Sequence, residues 1–344
     1  MRCFAVLGPS QSGKTELVKA LAALDDPHPR SEAAGHLALT HFRFMGEDWG
    51  ALDVAGGPEF ARMGGAALLA ADAAVLCVSP DPEEAVLAAP WLRAVEAARV
   101  PAFLFINRMD MPKGRIRDIV SALQAYSSHP VVLRQIPIRE KGAIVGVIDL
   151  ISERAWRYRE GQSSLLVEMP ASEIGREHEA RAELLEQMSD FDDALLEELI
   201  EDHVPAREAL FEIARRETRD RVLVPCFFGS ASHRNGVLRL MKALRHEVPQ
   251  VDALRDRLGV ADAMAVGFHA QIRKHLGKCV FLRALGAGVV AGGQLAGAGL
   301  GGLAEPGGKP GKERLDPGWI GLSVKSDQLD ATGAAVRRLR WPES

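Results

Sequence analysis

Continuous apolar runs recur along the first 110 residues, and helical spacing fills the gaps between them. Cys3 to Leu7, Ala73 to Val78 and Ala102 to Ile106 are apolar at every position. A strand with one wet face would alternate, so these runs predict a parallel sheet covered on both faces. Thr15 to Leu24 and Glu83 to Ala98 have helical spacing, and Gly65 to Ala71 is helix-like. Leu37 to Phe44 alternates weakly, and Trp49 to Asp53 reads as a short strand. The rhythm changes near Pro130. Val131 to Pro137 and Ala143 to Leu150 predict paired strands flanking the turn at Lys141-Gly142. Ala171 to Arg219 is charged and helical, and its acidic run (Glu197, Glu198, Glu201, Asp202) predicts a solvated face. Arg221 to Phe228 returns to a buried strand and Asn235 to His246 to a helix.

The pattern divides the chain. A first domain is expected over residues 1–248, with an insertion at about 130–220. Residues 249–262 read as a linker. Short strands follow at Ala265 to Arg273, Lys278 to Leu285 and Trp319 to Val324, with eleven glycines between Leu285 and Lys312. So many glycines suit tight turns between barrel strands, or a poorly ordered loop, and residues 263–344 are expected to form a small all-β barrel.

Composition narrows the classes. The net charge of -4 argues against a surface built to clamp nucleic acid, and no sequence-specific nucleic-acid partner is expected. Asp72 interrupts the longest apolar stretch, so no membrane span is expected. The run from Cys3 to Leu7 is too short for a signal-peptide core, which leaves the cytoplasm. Cys3, Cys77, Cys226 and Cys279 form no CxxC pair and read as small core hydrophobes.

Candidate chemistry begins at Gly8-Pro9-Ser10-Gln11-Ser12-Gly13-Lys14-Thr15, a full match to G-x-x-x-x-G-K-[ST]. Wrapping a polyphosphate requires inward-facing backbone N–H groups, and Gly8 and Gly13 relieve the crowding that would prevent it. The helix that follows offers its positive N-terminus. Lys14 is expected on the β- and γ-phosphates, and Thr15 on Mg²⁺. Asn107-Arg108-Met109-Asp110 closes the strand Ala102 to Ile106. A carboxylate at Asp110 can accept from N1–H and the amino group of guanine, a donor pair that adenine lacks. Asn107 is expected to hold neighbouring loops, and the stem of Arg108 to cover the base. Asp53-Val54-Ala55-Gly56 fits D-x-x-G, with Asp53 on Mg²⁺ through water and the Gly56 N–H at the γ-phosphate. Gly229-Ser230-Ala231 follows the last apolar strand, and its Ala231 N–H is expected to donate to guanine O6.

With these motifs in this order the chain resembles the translational GTPases, elongation factor G most closely. Gln135-Ile136-Pro137-Ile138 with Gly146-Val147-Ile148-Asp149-Leu150 resembles the insertion in that family's GTP-binding domain. Val224-Pro225-Cys226-Phe227-Phe228-Gly229-Ser230-Ala231 with Asn235-Gly236-Val237 resembles its final strand and helix, and Gly318-Trp319-Ile320-Gly321-Leu322 its following barrel. The resemblance implies a P-loop α/β domain with an inserted α+β subdomain and a translation-factor barrel. It also implies GTP and GDP as ligands, Mg²⁺ as cofactor, and the ribosome as partner in protein biosynthesis.

Two departures bear on activity. The family's D-x-P-G-H is here Asp53-Val54-Ala55-Gly56-Gly57, so Gly57 stands where the resemblance implies a catalytic histidine. Only 38 residues separate Lys14 from Asp53, and neither Ser31 nor Thr40 is a convincing counterpart of the family's effector-loop threonine. The family's three C-terminal domains have no counterpart in this sequence. His36 and His41 read as surface residues at strand ends rather than replacement catalysts. Arg337, Arg338 and Arg340 form a basic cluster that reads as a solvated tail, with ribosomal RNA as the other reading. Weak or factor-dependent GTP hydrolysis is expected. The alternative is a guanine-nucleotide-binding regulator or ribosome-associated scaffold that does not turn over, and a P-loop ATPase or kinase is disfavoured by Asp110.

Overall fold

The uniformly apolar runs are strands with both faces covered, as their composition requires. The computed structural model describes residues 1–259, 264–295, 298–307, 310–326 and 329. β1 (Arg2–Leu7) leads through a glycine-rich turn into α1 (Lys14–Ala22). β2 (Arg30–Ala34), β3 (Leu37–Phe44) and β4 (Glu47–Val54) form an antiparallel meander. α2 (Ala61–Ala70), β5 (Ala73–Val78), α3 (Ala89–Ala97), β6 (Ala102–Ile106) and α4 (Ile116–Gln124) follow. One eight-stranded sheet runs β2-β3-β4-β1-β5-β6-β12-β7, with β7 at Val131–Leu133 and β12 at Val224–Phe228. β1 lies between β4 and β5, parallel to both, and β12 lies parallel to β6. The carboxyl ends of β1, β4, β6 and β12 therefore meet on one edge, where ligands bind in open α/β sheets.

The inserted subdomain departs from its sequence reading at three points. The run Val131 to Pro137 is not one strand. β7 joins the main sheet beside β12, and the chain switches sheets at Arg134. β8 (Gln135–Glu140) then pairs with β9 (Ala143–Asp149) in a separate four-stranded sheet, so the insertion's own sheet starts at Gln135. β10 (Arg154–Arg159) and β11 (Gln162–Val167) complete that sheet and were not anticipated. Arg154, Arg157 and Arg159 face solvent there, and so many charges obscured the strand. α5 (Ile174–Ser189), α6 (Asp193–Ile200) and α7 (Arg207–Asp220) supply the charged helical stretch, with its acidic run exposed. Leu184, Met188 and Leu210 pack with Ile136, Ile148 and Leu150 into a core of the insertion's own.

α8 (Val237–Glu247) returns to the main sheet. The stretch read as a linker carries a helix, α9 (Val251–Leu258), whose Arg257 donates to the carbonyls of Leu68, Ala71 and Ala98. Beyond it, the strands Ala265–Arg273, Gly277–Ala284, Gly302–Ala304, Pro310–Lys312 and Ile320–Val324 form a five-stranded sheet. Cys3, Cys77 and Cys226 are free and buried, as their apolar runs predicted, and Cys279 is free and buried too. The cluster Arg337, Arg338 and Arg340 lies outside the described residues. Among the described residues, no helix is long and apolar enough to cross a membrane.

Candidate nucleotide site

The loop between β1 and α1 holds backbone angles that few side chains tolerate. Gly8 has φ 138° and Gly13 φ 88°, and Gln11 also adopts a left-handed φ of 64°. A Cβ at Gly8 would collide with the Cys77 carbonyl, and one at Gly13 with the Asn107 amide. No side chain caps the N-terminus of α1, so its first N–H groups are left to an anion. The Cys77 thiol donates to the Ser12 carbonyl at 3.3 Å, and burial pushes its pKa up to about 12, so it stays a thiol at neutral pH. Cys77 was missed as a site residue because nothing but its place at the end of β5 marks it.

Lys14 is 7% exposed and curls over this loop, with Nζ donating to the Pro9 carbonyl at 2.7 Å. Burial holds its pKa below the usual lysine range. Asp53, at the end of β4, accepts from the Thr15 hydroxyl at 2.5 Å. Burial raises the Asp53 pKa, and the Thr15 hydroxyl and Lys14 oppose the rise. Gly56 touches both groups, because a Cβ there would strike Lys14 Nζ and the Ser10 N–H. The D-x-x-G segment therefore lies directly over the phosphate loop. A hydroxyl and a carboxylate in contact form the hard oxygen donor set that suits Mg²⁺. Among the described residues no group of three or more His, Cys, Asp or Glu could hold a metal ion. A cation at Thr15 and Asp53 would draw its remaining ligands from phosphates and water.

Asn107 gathers the other loops. It is 2% exposed, its Nδ2 donates to the Ser12 carbonyl at 2.9 Å, and its Oδ1 accepts the Ala231 N–H at 2.9 Å. The Ala231 N–H expected on guanine O6 is thus engaged by Asn107. The Ser230 backbone bridges to Asn235, and the Met109 N–H donates to the Gly229 carbonyl at 2.9 Å. Arg108, at φ 58°, reaches toward Gly13 along the loop. Asp110 is solvent-accessible rather than buried, and its carboxylate lies 3.7 Å from His233 Nε2. His233 in turn holds Glu160 of the insertion at 2.8 Å. Neither residue falls in a motif, and only the fold brings them to Asp110.

The turnover region differs from the rest. The carboxylate of Glu59 occupies the space where a side chain at Gly57 would begin. Ser31 and Thr40 sit opposite each other on β2 and β3, with their hydroxyls 2.9 Å apart. His36, at the hairpin turn, packs on Phe60 with ring centroids 4.1 Å apart. His41, read as a surface residue, is instead 8% exposed, with its ring 5.2 Å from that of Trp319 in the barrel. Neither histidine reaches Gly57 or the phosphate loop through a hydrogen bond among the described residues.

The model of the elongation factor Tu GTP binding domain matches residues 35–250, more than half of the chain. The chain belongs to that family. Within it the chain is elongation factor G-like. It is 31% identical over 268 residues to an elongation factor G-like protein of Synechocystis sp., covering 72% of this chain and 40% of the relative. It is 30% identical over 160 residues to elongation factor G 2 of Geobacter metallireducens, covering 46% of this chain and 23% of that protein. Elongation factor G of Fervidobacterium nodosum is 27% identical over 208 residues, or 56% of this chain and 30% of that one. A crystal structure of a Thermus thermophilus protein superposes on 96% of this chain with a TM-score of 0.77 and 25% identity, and the match takes in 53% of that structure. The chain thus spans less than half the length of these curated relatives. The family match begins beyond the phosphate loop, so the geometry at Gly8 to Thr15 supports the nucleotide reading independently.

Proposed function

We propose that this chain binds GTP and GDP at the sheet edge and hydrolyses GTP very slowly on its own. The observation that carries the binding reading is the Asn107 side chain, which joins the phosphate loop at Ser12 to the Ala231 loop. One amide thereby sets the distance between phosphate recognition and base recognition. In this reading Gly8, Ser10, Gln11, Ser12 and Gly13 present backbone N–H groups to the phosphates, and Lys14 supplies the charge. The Gly56 N–H faces the terminal phosphate, Arg108 and the Ser230–Ala231 turn flank the base, and Asp110 reads guanine. Thr15 and Asp53 would hold Mg²⁺, which neutralises developing phosphate charge when bound.

Slow turnover follows from the surroundings of Gly57. Phosphoryl transfer depends on positioning and electrostatics, and a group that orients water is part of that machinery. Gly57 offers no such group, and the nearby Glu59 carboxylate would repel the negative charge that develops. The Ser31 and Thr40 hydroxyls are bonded to each other on paired strands, not free to close over a cation. We expect single-turnover hydrolysis by the purified chain with Mg²⁺ to be far slower than one turnover per second. Rapid hydrolysis without ribosomes would overturn this reading. The second reading, a nucleotide-binding regulator or ribosome-associated scaffold without turnover, is favoured by the contacts of Arg30 and Glu32 that tie the hairpin to the barrel. Adding ribosomes to the same assay separates the two, because only a factor-dependent GTPase accelerates. The family likeness supports the ribosome as partner and the cytoplasm as location.

A further inference from the structure

A second cleft lies away from the phosphate loop, between the insertion's sheet and α8. Its volume is about 310 Å³, and α7 and β12 complete its walls. Arg154, Trp156, Arg239 and Lys242 line it. The Arg239 guanidinium stacks 4.0 Å over the Trp156 ring, and Lys242 Nζ lies 5.6 Å from the same ring. Of the lining carboxylates, Asp149 accepts from the Ser152 N–H and hydroxyl, and Glu247 is occupied by Arg134 and Thr218. Glu208 is exposed at the rim. Arg207 is held by Glu153 at 3.4 Å. Asp149 offsets part of the Arg239 charge and Glu208 adds a carboxylate at the rim, so Arg154, Arg239 and Lys242 leave the cleft net positive.

Three N–H donors on the lining residues are buried without an acceptor among the described residues: Arg134 Nε, Trp156 Nε1 and one terminal nitrogen of Arg239. Arg134 itself is 4% exposed. A donor left unpaired out of water is unfavourable, and each of these belongs to a residue that also lines the cleft. Burial, and then the mutual repulsion of these cations, holds Lys242 below the usual lysine range. An incoming anion would relieve the repulsion among these cations.

We propose that this cleft binds a small anion bearing linked phosphate groups, separately from the nucleotide site. Three cations call for several oxygens and more than one negative charge, which phosphate supplies. The volume admits two linked phosphates and excludes a nucleic-acid duplex.

The probe is inorganic pyrophosphate, titrated calorimetrically into the full chain without Mg²⁺. In the proposed reading the phosphate loop also takes this anion, so a Lys14→Ala background weakens that contribution. We expect one equivalent to bind in that background. Adding Arg154→Gln and Lys242→Gln should weaken it by about tenfold or more, since two charge-assisted contacts are lost. Both side chains are at least partly exposed, and circular dichroism checks that the fold persists. Trp156→Phe keeps an aromatic face beneath Arg239 but loses the indole N–H and part of the ring, and should give a smaller loss. GDP affinity should be unchanged by the Arg154→Gln and Lys242→Gln pair when Lys14 is intact. If Lys14→Ala abolishes all pyrophosphate binding, or if the cleft variants bind as tightly as their parent, the proposal fails. It fails equally if single-stranded oligouridylate binds through these residues while pyrophosphate does not. Loss of GDP binding with the cleft intact would instead concern the nucleotide reading alone.

Discussion

Asp110 stands at the end of β6 with its carboxylate accessible to solvent and one imidazole nearby. Glu160 bonded to His233 raises that histidine's pKa, and Asp110 adds to the effect. In the proposed reading, as pH falls the imidazolium would compete with guanine for the Asp110 carboxylate. In that reading the carboxylate accepts two hydrogen bonds from guanine, and an amide can accept only one while donating the other. Asp110→Asn should therefore shift preference from GTP toward xanthosine triphosphate, whose oxygen at the 2-position accepts. Titrating both nucleotides against the parent and variant checks this, and an unchanged preference removes Asp110 from the base site. At Gly57 the absence of a side chain leaves room that Glu59 fills, and Glu59 is a flexible residue. Gly57→His can thus be accommodated, but should restore little turnover while Ser31 and Thr40 remain bonded to each other.

At the level of elements, the insertion is fastened to the main domain through a buried polar knot. Arg134, where the chain changes sheets, pairs with Glu247 of α8 at 3.1 Å, and both are under 5% exposed. Thr218 of α7 donates to the same carboxylate at 3.0 Å. Glu217 beside it is 1% exposed, and neither carboxylate oxygen has a partner among the described residues. Burial pushes its pKa from 4.5 up to about 8. The folded chain therefore keeps a proton on Glu217 that the unfolded chain releases, and stability falls as pH rises from 4.5 toward about 8. Glu217→Gln removes that dependence. Urea midpoints measured across this range should show a flatter pH profile for the variant and a higher midpoint than the parent at the alkaline end. Parallel profiles would mean that Glu217 is ionised in the fold. The β2–β3 hairpin is fastened differently, through Arg30 to Glu305 at 2.5 Å and Glu32 to Arg273 and the Gly307 N–H. These contacts tie a segment beside the nucleotide site to the barrel.

For the molecule as a whole, one contact between barrel and main domain is a fully buried ion pair. Asp72, at the entrance to β5, accepts from Arg283 at 2.7 Å and from the Cys3 N–H at 2.7 Å. Both side chains are fully buried. Burial raises the Asp72 pKa, and the Arg283 guanidinium opposes it. Removing one partner of such a pair strands a charge in a low-dielectric interior. Arg283→Met should therefore destabilise the chain by about 3–5 kcal/mol. Asp72→Asn combined with Arg283→Met should recover part of the loss, because the amide oxygen can still accept from Cys3. Chemical unfolding of the single and double variants checks this, and a double variant no more stable than Arg283→Met would show that charge is not the cause.

The strand, glycine-rich turn and helix of the candidate nucleotide site were legible in the sequence because their physics is local. Eight contiguous residues, Gly8 to Thr15, carry the glycines, the lysine and the hydroxyl that a phosphate loop needs, and the strand and helix on either side are set by neighbouring residues. Uniformly apolar strands were legible for the same reason, since burial on both faces leaves no polar position. What depended on distant partners was not. Arg134 divides one apolar run between two sheets because Val131–Leu133 finds β12, which lies beyond the whole insertion, and no short window contains both strands. The strand pair at 154–159 and 162–167 is masked by arginines whose outward direction follows from the sheet they join. Asp72 reads as an interruption of an apolar stretch until Arg283, 211 residues away, arrives to neutralise it. His41 reads as exposed until Trp319 covers it. The cleft at Trp156 and Lys242 exists only where the insertion meets α8. Local chemistry is written in the order of residues, whereas the burial of a charge depends on which residues the tertiary fold sets beside it.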